Sequence, residues 1–421
     1  MLEQQLSLRN WSHKLERYKL FFEEISIISE CNRKLDISII IISWRLHPDT
    51  LQNLMILNKQ RNDINVEIIF VNNGAYLDEF QILLPYINKY ITLGENTGAY
   101  LARNIGAIFA DAPILLFLED DGIPDEQLLL AHYLTHQKYN VIAVQGPYLY
   151  KTDNPLNEYQ HHYYYGEKVF PKCSDLEGNS SYCADAFFEV GGWDDDITFG
   201  GGGIELSIRL NQIYPQLYNQ LYSPICVLLH DYVTSMEHLV SKREKQLISH
   251  TRLKNKYPEW NRYIEKWLDR SKNREMIQIR NDWKPESEII LQSLEAEITL
   301  RNLNKSSKYT QERLFLSNPD HMVEHLQTRQ NDYQIVIFGA GELGQRVYKL
   351  FSSTINANLV FADNNQDLWG KEINDIKVLS PHDLTTTNNF VYIASQWREE
   401  IGIQLREKGF VVSSNYSYVL I

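Results

Sequence analysis

The sequence predicts an α/β protein: a mixed, mainly parallel sheet flanked by helices, then a helical region, then a small second α/β unit. Three observations carry this. Short apolar runs alternate with amphipathic stretches over residues 36–147, which is the rhythm of strand and helix in a sheet covered on both faces. Each run ends in a polar or glycine cluster. A further apolar run beginning at Tyr333 opens directly into the glycine turn GAGELG.

The strands are DISIIIISW (36–44), VEIIFVNNG (66–74), KYITLGEN (89–96), PILLFLEDDG (113–122) and NVIAVQGP (140–147). Helical patterns lie between them, in PDTLQNLMILNKQ, TGAYLARNIGAIFA and PDEQLLLAHYLTHQ. Pro48 and Pro124 stand where a first helical turn tolerates proline. Ligands of such sheets gather beyond the strand C-terminal ends, where SWR, NNG and EDDG fall. Residues 1–35 carry Leu6, Trp11, Leu15, Tyr18 and Phe22 at helical steps and predict an N-terminal helix. The Tyr- and His-rich stretch 148–182 reads either as a functional insertion or as a β-meander with aromatic packing. Residues 236–331 read as a helical linker region, with NKSSKYTQ (304–311) as a flexible break. Residues 332–421 form the last unit, leaving 36–235 as the principal domain.

A chain of 421 residues with a net charge of −13 and no dense Lys/Arg stripe argues against nucleic-acid binding. Its four cysteines lack CxxC or zinc spacing and read as reduced thiols, with a disulfide as the alternative. No apolar run is long enough to span a membrane, and the charged N-terminus lacks a signal-peptide core. A cytoplasmic protein is expected, with peripheral membrane contact through residues 1–30 as the rival to a packing helix.

Glu119, Asp120 and Asp121 stand together after a buried strand. Acids at that density repel unless a cation or donors offset them. Their oxygens suit Mg²⁺ or Mn²⁺, while a solvated Asp-Gly turn is the plain alternative. In the last unit Gly339, Gly341 and Gly344 precede a helix, and Asp363 closes the next strand. That matches a dinucleotide fingerprint. The domain resembles small Rossmann-like domains found beside sugar-modifying enzymes, so NAD, another nucleotide, or a docking role without ligand all remain open for it.

Residues 36–235 resemble the glycosyltransferase family 2 type of nucleotide-sugar transferases, which have the GT-A fold. DISIIIISW, IIFVNNGA, ENTGAYLARNIGAIFA, FLEDDG, FFEVGGWDDD and ICVLLHDY follow the family's order. The resemblance implies a metal carboxylate at Asp121, with Glu119 sharing the metal shell or, with Asp120, facing the ribose. His230 would be a late metal ligand; a histidine satisfied at a strand end is the alternative. Ser43, Arg45 and Arg103 would line the donor side, Arg103 being equally readable as a structural clamp. Asn72 replaces the aspartate expected at the donor base, which leaves base preference open around a uridine default. The implied chemistry is inverting transfer from a nucleoside-diphosphate sugar, UDP-sugar by default, to a glycan or other hydroxyl acceptor.

One departure stands out in TFGGGGIELSIRL. Gly202 and Gly203 occupy the place of an acidic Glu-Asp pair, as though two acids had been removed to leave a roomier wall. Glu205 is the nearest surviving carboxylate and a candidate base, unless it only pairs with Arg209 one turn on. Asp194, Asp195 or Asp196 are the other candidates. A non-catalytic nucleotide-sugar-binding or scaffold protein on a degenerate transferase fold is the rival reading. An oxidoreductase or epimerase is disfavoured, because GAGELG has no catalytic partner in view.

Overall fold

The computed structural model describes residues 1–31, 33–62, 64–75, 78–154, 156–157, 163–259, 274–317, 326–353, 358–395, 397–411 and 414–419. The chain divides into two compact units. One comprises Met1–Tyr163, Glu167–Trp267 and Lys272–Asn302; the other comprises Tyr164–Gly166, Leu268–Ser271 and Leu303–Ile421.

The first unit is built on strands β1 (Phe22–Ile27), β2 (Ile37–Ser43), β3 (Val66–Asn73), β4 (Lys89–Leu93), β5 (Ile114–Leu118), β7 (Ala143–Gln145), β9 (Phe170–Pro171), β10 (Asn179–Cys183) and β11 (Gln220–Tyr222). Their order in the sheet is β1-β4-β3-β2-β5-β10-β7-β11-β9. The centre is parallel, with β2 between β3 and β5, while β10 runs antiparallel to both β5 and β7. Burial on both faces explains the continuous apolar runs: every residue of β3 and β5 is buried.

Helices α3 (Thr50–Lys59), α4 (Ala99–Ile108), α5 (Leu128–Lys138), α6 (Ala184–Glu189) and α7 (Gly202–Ile213) connect or cover these strands. A small second sheet joins β6 (Ile123–Pro124), β12 (Leu228–Leu229) and β8 (Tyr148–Leu149). Pro124 therefore lies in a strand facing Leu228, not in the first turn of a helix. Among its described residues the Tyr- and His-rich stretch 148–182 contributes the short strands β8 and β9 and most of β10, and Gln160, His161 and His162 lie outside the described residues.

The N-terminal segment differs from the single helix expected. It forms α1 (Leu2–Leu8), α2 (Leu15–Lys19) and the edge strand β1, which pairs antiparallel with β4. Leu6, Trp11 and Tyr18 are buried in one cluster with Tyr100, Phe187, Trp193 and Leu206. Trp11 Nε1 donates to the Phe188 carbonyl at 2.9 Å. The apolar positions that suggested an amphipathic helix are used instead to seal one side of the sheet.

The described residues 236–259 and 274–302 also cluster with the first unit. Helix α8 (Met236–Lys256) is capped by Ser235, whose hydroxyl accepts the His238 N–H. Its Leu239 and Leu253 are buried. Arg301 holds Asp125 at 2.7 Å and Lys138 holds Glu288 at 3.0 Å. Helix α9 (Pro285–Ser317) runs without interruption through the stretch expected to break at 304–311.

The second unit has strands β13 (Gln334–Phe338), β14 (Leu359–Ala362), β15 (Glu372–Ile373), β16 (Ile376–Leu379), β17 (Asn389–Ile393) and β18 (Tyr416–Tyr418), ordered β15-β16-β14-β13-β17-β18. All pairs are parallel except β15 with β16. Helix α10 (Glu342–Ser352) buries Val347 and Phe351 in one core, and α11 (Arg398–Glu407) buries Ile401 and Leu405 in another. The sheet is thus covered on both faces.

Candidate functional site

The acidic triplet follows β5, at the end of the parallel strands where an open α/β sheet places its ligands. The three carboxylates take different partners. Asp120 accepts the Ser43 hydroxyl from the end of β2 at 2.5 Å. Burial, and then the charge of Asp121, push the Asp120 carboxyl up to about 7, with the Ser43 hydrogen bond pulling the other way. Glu119 turns away, meeting Arg103 of α4 at 3.3 Å and the Tyr148 hydroxyl at 3.3 Å.

Asp121 and His230 are brought together by strand register. Leu229 faces Ile123 in the antiparallel β6–β12 pair, so His230, just after Leu229, comes to the end of the pair at which Asp121 and Gly122 enter β6. Asp121 Oδ1 and His230 Nε2 stand 3.3 Å apart. Burial would raise the Asp121 carboxyl, but the charge and hydrogen bond of His230 hold it well below the usual carboxylate range. Tyr148 stacks on the His230 ring with centroids 4.6 Å apart, fixing the imidazole plane.

Basic groups lie near Asp121. Lys151 donates to the Asp121 carbonyl at 3.0 Å and pairs with Asp49 at 2.5 Å. His47, from the loop after β2, feels both Asp121 and Asp49, though burial lowers its pKa. Lys242 of α8 reaches over the Tyr232 ring at 3.9 Å and donates to the Tyr232 carbonyl at 3.0 Å. Burial lowers the Lys242 pKa, and the charges of Glu119, Asp121 and Glu177 work against that loss. Arg45 lies exposed over the Trp44 ring. Basic side chains beside the acidic triplet suit a diphosphate, which pairs with cations.

Among the described residues no cluster of three or more His, Cys, Asp or Glu side chains converges as a metal site. Glu119 does not join Asp121 and His230, because Arg103 and Tyr148 take its oxygens. The carboxylate–imidazole pair alone fits a divalent ion that keeps open positions for phosphate oxygens.

Asn72 is fully buried and spends its amide on the protein. Its Nδ2 donates to the Ala75 carbonyl at 3.0 Å, and its Oδ1 accepts the Ala75 N–H at 2.8 Å. The side chain thus closes the turn after β3. Arg103 is also buried and donates to Glu119.

The base candidates are all engaged. Glu205 is fully buried. Both its oxygens accept Arg209 Nε at 2.9 Å, and Oε1 also accepts Lys256 at 2.7 Å and the Tyr257 hydroxyl at 3.0 Å. Burial would raise its pKa, but Arg209 and then Lys256 hold it below the usual value. Asp194 shares Lys256 at 2.9 Å. Asp195 accepts Tyr18 at 2.9 Å and Asn104 at 2.7 Å, and pairs with Lys14 at 2.9 Å. Asp196 meets Arg17 and Arg252. The DDD run fastens the N-terminal segment and α8 to the domain.

The glycine-rich wall is not roomier. A Cβ on Gly202 would stand 2.2 Å from the Tyr100 ring, and one on Gly203 3.1 Å from the Ser174 and Asp175 backbone. Sequence reading passed over the carboxylate that occupies this corner, Glu177. It accepts the Gly203 N–H at 2.9 Å and the Tyr100 hydroxyl at 2.8 Å. Its only signal in the sequence was an acid beside a glycine before a strand.

In the second unit Asp363 accepts the Ala340 N–H at 2.8 Å and the Asn365 N–H at 2.8 Å. It therefore braces the glycine turn itself. Gly344 packs against the Gly339 carbonyl, where a Cβ would stand at 1.7 Å, while a Cβ on Gly341 would meet open space. The cysteines are free thiols. No helix among the described residues is long and apolar enough to cross a membrane.

Residues 38–192 match the family model described as Glycosyl transferase family 2. The match covers that segment alone, which is similar to a family 2 glycosyltransferase domain. Glu205, His230 and Lys242 lie beyond the matched segment. Residues 331–414 match a model described as C2185-like, N-terminal. No curated protein matches the chain. Among solved structures, S. aureus TarS 1-349 is 13% identical with a TM-score of 0.35, over 48% of this chain and 59% of that one. GalNAc-T7 with UDP, GalNAc and Mn²⁺ is 16% identical with a TM-score of 0.38, over 48% and 45%. The chain thus spans less than two thirds of either. Mannosyltransferase PcManGT from Pyrobaculum calidifontis, in complex with GDP-Man and Mn²⁺, is 12% identical with a TM-score of 0.41, over 84% and 92%.

Proposed function

We propose that the first unit transfers a sugar, with inversion, from a nucleoside-diphosphate sugar to an acceptor hydroxyl on a glycan or related molecule, in the cytoplasm and with a divalent cation. The Asp121–His230 pair at the end of the parallel strands, with basic groups nearby, is the observation that carries this reading. Asp121 and His230 would hold Mn²⁺ or Mg²⁺, which when bound neutralises charge on the leaving diphosphate. Lys242 and Lys151 supply fixed positive charge on the same side. Ser43 fixes Asp120, and Arg103 fixes Glu119, so both carboxylates are ordered before a donor arrives. Asn72, spent on its turn, leaves donor-base selection to other groups, and a UDP-sugar is the first donor to test.

The test is release of nucleoside diphosphate from a panel of UDP-, GDP- and dTDP-sugars with Mn²⁺. Turnover with at least one donor is expected, falling at least about a hundredfold in Asp121→Ala. Release from none, together with nucleotide binding unchanged by Asp121→Ala, overturns the proposal. A binding or scaffold protein is the second reading, favoured by the burial of Glu205 within its ion pairs. Nucleotide-sugar binding without turnover would select it.

A further inference from the structure

A displacement at an anomeric carbon requires a group that takes the acceptor proton. Four of the carboxylates near the glycine-rich wall, Glu205, Asp194, Asp195 and Asp196, are bound to Lys or Arg side chains. A carboxylate so paired is a weak proton acceptor, since protonation would break its ion pairs.

Glu177 differs in each respect. Among the described residues it has no Lys or Arg within ion-pair distance, and it is only half-buried, whereas Glu205 is fully buried. Its position follows from strand register. Asn179 faces Leu118 in the antiparallel β10–β5 pair, and the Glu119 N–H donates to the Gly178 carbonyl at 3.1 Å. Glu177 precedes Gly178 and therefore lies at the same end of the β5–β10 pair as the acidic triplet. Gly178 is required there, because a Cβ would stand 2.0 Å from Glu119 Oε1.

The carboxylate is also oriented. The Gly202 N–H donates to the Tyr100 hydroxyl at 3.0 Å, and that hydroxyl donates to Glu177 at 2.8 Å. The Gly203 N–H donates to the same carboxylate oxygen at 2.9 Å. Tyr100 comes from α4 and the two amides from the first turn of α7, so two separate elements fix one side chain. Burial raises the Glu177 pKa against the opposing pull of Gly203, Arg103 and Tyr100, which strengthens the carboxylate as a proton acceptor.

We propose that Glu177 is the general base of the transfer, an inference that rests on the function proposed above. The acceptor O–H gives its proton to the Glu177 carboxylate as its oxygen bonds to the anomeric carbon. The bond from that carbon to the phosphate oxygen breaks, and its electron pair leaves on the nucleoside diphosphate.

The full chain is assayed with Mn²⁺ and UDP-N-acetylglucosamine, UDP-glucose, GDP-mannose and dTDP-glucose, with water or added glycan as acceptor. Glu177→Gln is expected to lower turnover about a hundredfold, with UDP binding and thermal midpoint near the wild-type values. Turnover in Glu177→Gln within threefold of wild type overturns the assignment and leaves the transferase reading intact. No turnover by the wild type on any donor overturns both. Should Glu177→Gln lose its thermal transition, Glu177→Asp decides. It keeps the charge but withdraws the carboxylate by one methylene, and turnover within threefold of wild type overturns the proposal.

Discussion

Gly202 lies against the Tyr100 ring so closely that a Cβ would stand 2.2 Å from Tyr100 Cε1. Tyr100 is buried and packs on Trp193 with ring centroids 5.5 Å apart. Restoring the acidic pair as Gly202→Glu/Gly203→Asp therefore does not restore an acidic wall. It is expected to cost about 1–3 kcal/mol by overpacking and to displace the tyrosine that orients Glu177. A urea titration checks this. A double variant as stable as wild type would show that Tyr100 can yield.

Glu205 is a strut between α7 and α8. Lys256 of α8 bridges it to Asp194, with contacts of 2.7 and 2.9 Å. Glu205→Gln keeps the shape but leaves Arg209 and Lys256 short of a charge partner. The expected loss is about 2–4 kcal/mol, with turnover of the folded fraction within threefold of wild type. A hundredfold loss of turnover at unchanged stability would return the base assignment to Glu205.

How far the sequence carried the reading follows from where each feature is encoded. The parallel centre was legible because β2, β3 and β5 are buried on both faces, and continuous apolar runs record that directly. Asp121 and His230 were legible as separate strand-end residues, but their contact depends on the β6–β12 register, which two-residue strands do not announce. The N-terminal segment misled because Trp11 and Tyr18 keep helical spacing while packing against Phe188 and Asp195 across the chain. The acidic motif was read as vacated because a sequence shows two missing side chains and not the Tyr100 ring filling their place. Glu177 was invisible because its partners, Tyr100 and Gly203, are far from it in the chain.

Asp121 and His230 together form the one carboxylate–imidazole contact at the ends of the parallel strands that we assign to a metal. Asp121→Asn is expected to weaken Mn²⁺ binding in the presence of UDP at least about tenfold, the smaller of the effects typical even for groups that only support a metal's ligands. Calorimetry or paramagnetic relaxation of water reads this without turnover. Unchanged Mn²⁺ affinity in both Asp121→Asn and His230→Gln would remove the pair from the metal site.

Lys242 of α8 is within electrostatic reach of Asp121 and forms no ion pair among the described residues. Lys242→Met is expected to weaken UDP binding about tenfold and to flatten the dependence of that binding on salt. The uncharged nucleoside uridine should bind both proteins equally. Equal loss for uridine and UDP would mean that Lys242 supports the fold of α8 and not the diphosphate.

His132 and His136 lie buried on α5 against β10. His132 meets Ser181 at 2.9 Å and Asn179 at 3.1 Å, and His136 meets Ser181 at 2.8 Å. Burial pushes His132 down to about 4 and His136 down to about 3. Both rings are neutral in the fold, whereas an unfolded chain protonates each near pH 6.5. The unfolded state therefore binds more protons below that pH, and stability falls on acidification by ~1.4 kcal/mol per pH unit for each ring until the folded pKa is reached. Asp120, raised to about 7, works in the opposite direction over the same window, so the decisive measurement is a difference. His136→Gln is expected to lose less stability than wild type between pH 6.5 and pH 5, by about 2 kcal/mol, in urea titrations at each pH. Identical pH dependence in the two proteins would mean that His136 takes up its proton in the fold without cost.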